Sequence, residues 1–283
     1  MPVYNEADIL EQTIAYTIAQ GISLIILDGG STDRSLEIAR RFIGQGVLEV
    51  KVLADEYLRW SVILKEGISR AAEESPDWIV KVDADQFLEP PMRKMTLADA
   101  IEAVDAQGYN LIKFDCFEFL LTDQDYQSSE PDVRKRLRFY TWIGDYYFCA
   151  WKNYPGTDLI ATGGHKPIFP SGIKTCVFPT NFTLRHYRFR SLDHGLRKVF
   201  KERLPRYAPE ERARKWHVHF NKFKPDPSYF IVDSRKLNRY DGDGQWVIEK
   251  VFDPFFGAWT PTDPSSSVSA RLRAIVKKLL RRI

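Results

Sequence analysis

The chain has 283 residues, 44% hydrophobic and 13% aromatic, with a net charge of +3; this supplies a sizeable core for one large domain and excludes a disordered or low-complexity chain. Cys116, Cys149 and Cys176 are widely spaced with no C-x-x-C, which excludes a disulfide framework and a cysteine zinc site and fits a reducing cytoplasm. No apolar run approaches the roughly 20 residues that cross a bilayer, and the N-terminus has no signal-peptide anatomy, so the chain reads as neither secreted nor integral. The small net charge hides a split. Thirteen bases face four acids between residues 185 and 224, and the last sixteen residues carry six bases and no acid. Anionic partners are therefore expected in the second half, although no nucleic-acid module is recognisable and nucleic acid is not among them.

In chain order, Pro2-Val3-Tyr4-Asn5-Glu6 precedes a segment with Ile9, Leu10, Ile14 and Ile18 near helical spacing, so a helix is predicted over about 8–19. Gly21 breaks it. Ile22 to Leu27 reads as a buried strand ending in Asp28-Gly29-Gly30-Ser31-Thr32-Asp33, whose Ser, Thr and Asp are available to cap a helix running to Ile43. A second unit repeats the pattern, with a strand over 47–53, a helix over 60–72 and a strand over 78–82. That last strand ends in Asp83-Ala84-Asp85, and Glu89, Pro90 and Pro91 prevent its continuation. The alternation predicts a mostly parallel sheet with right-handed crossovers. Two carboxylates at the C-terminal lip of such a strand present hard oxygen ligands to Mg²⁺ or Mn²⁺, which grip a diphosphate in turn.

The ordered triple of Pro2-Val3-Tyr4-Asn5-Glu6, Leu27-Asp28-Gly29-Gly30-Ser31-Thr32-Asp33 and Val82-Asp83-Ala84-Asp85 resembles family-2 glycosyltransferases of the GT-A fold. The resemblance is specific over about residues 1–90 and looser over 91–200. It implies an α/β GT-A fold, a nucleotide-diphosphate sugar donor, Mn²⁺ or Mg²⁺, and inversion at the anomeric carbon. By that resemblance Pro2, Tyr4 and Glu6 line the nucleoside pocket and Asp28 faces the base. Asp83 approaches the ribose or metal, and Asp85 ligates the metal. Lys65 and Ala84 join them as candidate nucleotide-sugar contacts. Independently, a carboxylate such as Asp28 can accept an N–H from uracil or guanine, and glycines at 29 and 30 allow close backbone approach. Relatives often carry a Glu-Asp pair that supplies the catalytic base, and none is visible here.

Beyond the D-x-D, a helix is predicted over 95–107 and an alternating strand over 111–121, with Asp115 and Glu118 on opposite faces. Residues 122–136 read as an acceptor-side loop and 138–151 as an aromatic-rich strand. Gly163-Gly164 matches the relatives' glycine loop against the donor sugar, with His165 beside it. The base therefore stays open among Glu118, Asp115 and His165. His186, on a strand after that loop, resembles a C-terminal metal-ligand histidine. Arg185, Arg188, Arg190, Arg197, Lys198 and Arg203 suit a diphosphate. A helix is predicted over 192–204. His217 and His219 alternate as on a strand, where packing or acceptor contact is favoured over a metal pair.

Residues 1–220 are read as the catalytic domain, with a nucleotide-binding half (1–90) and an acceptor half (91–220). Residues 221–260 form an irregular aromatic-rich extension, and 261–283 a linker followed by a basic amphipathic helix. That helix places Val268, Leu272, Ile275, Val276, Leu279 and Ile283 on one face and suits an anionic membrane surface. The expected protein is a cytoplasmic enzyme peripheral at the inner face of the cell membrane. It moves a sugar to a glycan or lipid-linked acceptor in surface-polysaccharide biosynthesis. The alternatives are a sugar-nucleotide binding protein weakened in catalysis, motivated by the missing Glu-Asp pair, and a nucleotidyltransferase, whose Gly-rich, Arg/Lys-containing N-terminal signature is absent.

Overall fold

A computed structural model describes residues 1–252 apart from 93, 217, 243–245 and 251. The linker and basic tail helix expected over 261–283, and His217, lie outside the described residues.

The N-terminal third builds a parallel sheet. Strands β1 (Pro2–Val3), β2 (Leu24–Asp28) and β3 (Val47–Val52) pair in that order. Helices α1 (Leu10–Ala19) and α2 (Ser35–Arg41) make the crossovers, and α3 (Trp60–Glu73) follows β3. Helix α1 buries Leu10, Thr13, Ile14 and Thr17, an i, i+3, i+4, i+7 stripe. The second sheet departs from the expected parallel arrangement. It runs β4 (Trp78–Val80), β7 (Phe139–Lys152), β6 (Leu111–Phe119), β8 (Phe182–His186), β5 (Gln86–Glu89), and only β6 and β8 are parallel. The reason lies in the connections: β6 returns into β7 without a long crossover helix, so the two strands meet antiparallel. Strand β9 (Asn238–Arg239) adds to β7. A cavity of about 640 Å³, lined by Met1, Leu24, Ile25, Trp78, Ile79 and Val80, lies between the edge strands β1 and β4.

Helix α4 (Leu97–Asp105) begins with a capping box in which Thr96 accepts from the Asp99 amide and Asp99 accepts from the Thr96 amide. It closes the main core with α1 and α2. Phe114, Phe182 and Leu184 are fully buried there, each contributing about 1.5–3 kcal/mol, and they clamp β6 to β8 in the register that sets Glu118 opposite His186. Part of the loop expected over 122–136 folds as the single turn α5 (Val133–Arg136).

The helix expected over 192–204 changes pitch midway. It is α6 (Leu192–Arg197) followed by a π-helical turn, Lys198–Arg203. Helix α7 (Pro209–Ala213) follows. The strand suggested around His219 is a 3₁₀ helix, Val218–Lys222, held by burial of Phe220 among Tyr207, Phe223 and Phe230. Aromatics beyond 220 are anchored on the sheet, where Trp246 stacks on Phe117 at 4.0 Å and Phe252 bonds Thr141 through its amide and carbonyl.

Candidate active site

The two N-terminal motifs are bonded into one unit. The backbone amides of Asn5, Glu6 and Ala7 donate to Ser31 Oγ, Ser35 Oγ and Asp33 Oδ2 at 2.8–3.1 Å. Asn5 Oδ1 accepts from the Thr32 amide at 2.7 Å. The Ser/Thr/Asp run that looks like a helix cap thus mostly satisfies the turn at Asn5, whose φ of 55° asparagine tolerates well. Asp28 Oδ1 accepts from the amides of Gly30 and Ser31 at 2.9 and 2.8 Å. Its Oδ2 is buried with no hydrogen-bond partner, an acceptor that calls for a donor. Gly30 has φ +84°, and a Cβ there meets Ala54 at 3.2 Å. Arg206 lies over the Tyr4 ring at 4.2 Å.

The D-x-D is brought beside Tyr4 and Glu6 of the first motif through a tertiary pairing. Strands β5 and β8 run antiparallel with Gln86 opposite His186. His186 Nε2 therefore stands 3.4 Å from Asp85 Oδ1, while its Nδ1 is 2.7 Å from Glu118 Oε2. Arg188 also donates to that oxygen at 3.1 Å. Burial alone pushes the Asp85 carboxyl up, but Lys198, His186 and Arg190 outweigh it and hold it well below the carboxylate range. Burial likewise pushes the His186 imidazole down, and Glu118 and Asp85 overcome it to hold the group well above its ordinary value. Asp83 turns instead to Lys81 at 3.0 Å.

A cleft of about 160 Å³ gathers Pro2, Tyr4, Glu6, Asp83, Ala84 and Asp85 with Gly163, His165 and His186. Gly164 sits just behind it, where a Cβ meets Leu64 at 3.1 Å. Asp28, which is buried behind Val3, and Lys65 are not among the lining residues. Helix α3 turns Ile63 and Leu64 inward and leaves Lys65 exposed. The three base candidates separate. Asp115 lies on the opposite face of β6, accepting from Trp142 Nε1 at 3.1 Å and lining another cavity with Tyr16, Asn181 and Trp246. Glu118 is 0% exposed, sealed behind His186 and Arg188. His165 alone of the three lines the cleft, an exposed side chain at its rim whose ring stands edge-on to Tyr146 and Tyr147; partial loss of water around the ring and the Lys81 ammonium lower its pKa, so it is neutral at pH 7.

Of the six cations expected at a diphosphate, Arg188, Lys198 and Arg203 line the cleft. The other three are engaged elsewhere, Arg185 with Glu89, Arg197 with Glu202 and Arg190 with Glu6 and Asp8. Sequence reasoning did not single out Lys81, Trp60, Tyr147 or Tyr207, which also line it. Lys81 carried a signal, two residues ahead of Asp83; the others come from distant segments and carried none.

Two acid–imidazole groupings bear on metal binding. Glu6, Asp8 and His194 bring ligand atoms within 4.8 Å of one another. However, Arg190 Nη2 already touches all three, at 2.6, 2.6 and 2.8 Å. Asp85 with His186 is the better fit. Nε2 faces the carboxylate and Nδ1 is fixed by Glu118, the outer-shell arrangement that orients ligating histidines. One carboxylate and one imidazole suffice for Mn²⁺ or Mg²⁺ that takes its remaining ligands from phosphate and water.

The family model described as Glycosyl transferase family 2 matches residues 1–151. Among curated proteins none matches. Among solved structures, S. aureus TarS 1–349 in complex with UDP is 13% identical with a TM-score of 0.41, over 66% of this chain and 58% of that one. The same protein with UDP-GlcNAc gives 12% and 0.41, over 66% and 57%. The mannosyltransferase PcManGT from Pyrobaculum calidifontis, in complex with GDP-Man and Mn²⁺, gives 17% and 0.33, over 70% and 59%. The chain thus spans under two thirds of the length of these structures.

Proposed function

The chain belongs to glycosyl transferase family 2 and has its GT-A α/β fold, and from that membership we propose that it transfers a sugar from a nucleoside-diphosphate donor to a glycan or lipid-linked acceptor, with metal assistance and inversion at the anomeric carbon. The observation that carries this reading is the single cleft shared by Tyr4 and Glu6, Asp83 and Asp85, Gly163 and His165, and His186, four segments far apart in sequence.

Asp28 Oδ2 is the acceptor offered to a nucleobase N–H. Asp85 and His186 would hold Mn²⁺ or Mg²⁺, which when bound supplies Lewis-acid stabilisation of the departing diphosphate. Arg188, Lys198 and Arg203 add positive charge on the same side. In a single displacement the acceptor oxygen attacks the anomeric carbon as the bond to the diphosphate breaks, and the acceptor's proton passes to a base. Position in the cleft and a neutral ring favour His165 for that role. A cytoplasmic setting at the inner membrane face, in surface-polysaccharide synthesis, accords with the basic tail sequence.

A panel of nucleotide sugars assayed with and without Mn²⁺ tests the proposal. Turnover is expected with at least one donor, and Asp85→Asn should lower it about 10²–10³-fold while the protein stays folded. Donor binding without turnover under all conditions would replace this reading with that of a sugar-nucleotide binding protein.

A further inference from the structure

The cleft is narrowed by a basic arm of the chain. At about 160 Å³ it is smaller than the roughly 300 Å³ at which sites for small ligands begin. Lys198, Arg203, Tyr207 and Phe220 form one side of its lining. That arm is docked on the nucleotide-binding half. The Leu58 amide donates to the Arg206 carbonyl at 2.7 Å, and Val199, Tyr207 and Phe220 pack with Leu58 and Ile63. Lys198 is buried, and its Nζ donates at 2.9 Å to Glu6 Oε1 and at 2.9 Å to Asp85 Oδ2. One ammonium thus joins the first motif to the D-x-D. It opens a π-helical turn, a departure from α geometry that recurs at functional sites.

We propose that Lys198 is the counter-ion shared by Glu6 and Asp85 in the donor-free protein, beside Arg190 on Glu6 and His186 on Asp85, and passes to the donor's diphosphate when the cleft opens, so that one side chain both latches the arm of residues 198–207 and binds the leaving group. The inference rests on the nucleoside-diphosphate reading above. Its physical basis is that a cation held between two carboxylates competes with a divalent metal for Asp85, and that a diphosphate offers the displaced ammonium equivalent anionic oxygens.

Lys198→Met separates this role from simple packing, since the methionine keeps the apolar stem and removes the charge. Without nucleotide, Mn²⁺ titrated into the variant and followed by electron paramagnetic resonance should bind at least tenfold tighter than to the unaltered protein. Calorimetry with UDP and GDP, each beside its nucleoside, should show the diphosphate at least tenfold weaker and the nucleoside unchanged. Unchanged diphosphate affinity, or Mn²⁺ affinity that stays level or falls, would overturn the proposal. If neither diphosphate binds the unaltered protein, the donor reading fails and this inference with it. Should the variant not fold, hydrogen exchange on the unaltered chain decides. Amides of 198–207 should change protection at least tenfold on adding the diphosphate with Mn²⁺, and no change would overturn the latch.

Discussion

Two acid–imidazole clusters lie on either side of Lys198, Glu6–Asp8–His194 on one and Asp85–His186–Glu118 on the other, and they are built differently. In the first, a guanidinium fills the centre. Arg190 bonds both carboxylates and the imidazole, so the group is complete, and burial together with Arg190 holds His194 well below its ordinary pKa, in the neutral form. In the second, the imidazole stands between two carboxylates, and the Asp85 side opens on the cleft. The ligand types are alike. What separates a structural knot from a candidate metal centre is access: Arg190 saturates every member of the first cluster, while the Asp85 carboxylate of the second faces the cleft, where an incoming ion meets it and the cations it holds.

The largest expected effect tests the filled cluster. Arg190→Met takes one of two bonded cations from the buried Glu6, which keeps Lys198, and removes the guanidinium from Asp8, and should cost about 3 kcal/mol in urea unfolding. Asp85→Asn, in which Lys198 keeps Glu6, should cost far less. Equal losses for the two variants would erase the distinction.

A middling effect tests the open cluster. Glu118→Gln keeps the shape beside His186 but removes the charge that orients the ring, so Mn²⁺ affinity should fall about 10–100-fold in a paramagnetic-resonance titration. Unchanged affinity would show that Glu118 serves packing alone.

The smallest effect concerns a carboxylate that neither cluster compensates. Burial raises Asp125 to about 6, against bonds from Thr122 that lower it. A carboxyl whose folded pKa lies above its unfolded value favours the fold below about pH 4, and that contribution is lost as pH rises through about 6. Asp125→Asn should therefore gain about 1 kcal/mol at pH 8, allowing for partial solvent exposure, and nothing at pH 4. A gain that does not change with pH would point to a different cause.

Much of the first ninety residues was legible because their determinants are local. Apolar runs ending in Asp28 and Asp83, glycine where φ is positive, and helical stripes such as Leu10 and Ile14 are readable at a separation of a few residues. The D-x-D was visible for the same reason. Glu118 looked like a free strand carboxylate because its burial depends on β8, some seventy residues later. That Asp115 and Glu118 take opposite faces of β6 was legible from the strand's alternation, but not that Asp115 faces a second cavity, away from the cleft.

The sequence by itself determined the strand–helix alternation of the N-terminal third, the family, and the residue types that would suit a diphosphate and a divalent ion. Only the tertiary structure decided which cations reach the cleft, that Arg190 closes one cluster while His186 completes another, and that Lys198 bridges them. Hydrophobic periodicity is a short-range signal, whereas the partner of a charge is set by strand register and helix docking between segments more than a hundred residues apart, which no local pattern encodes.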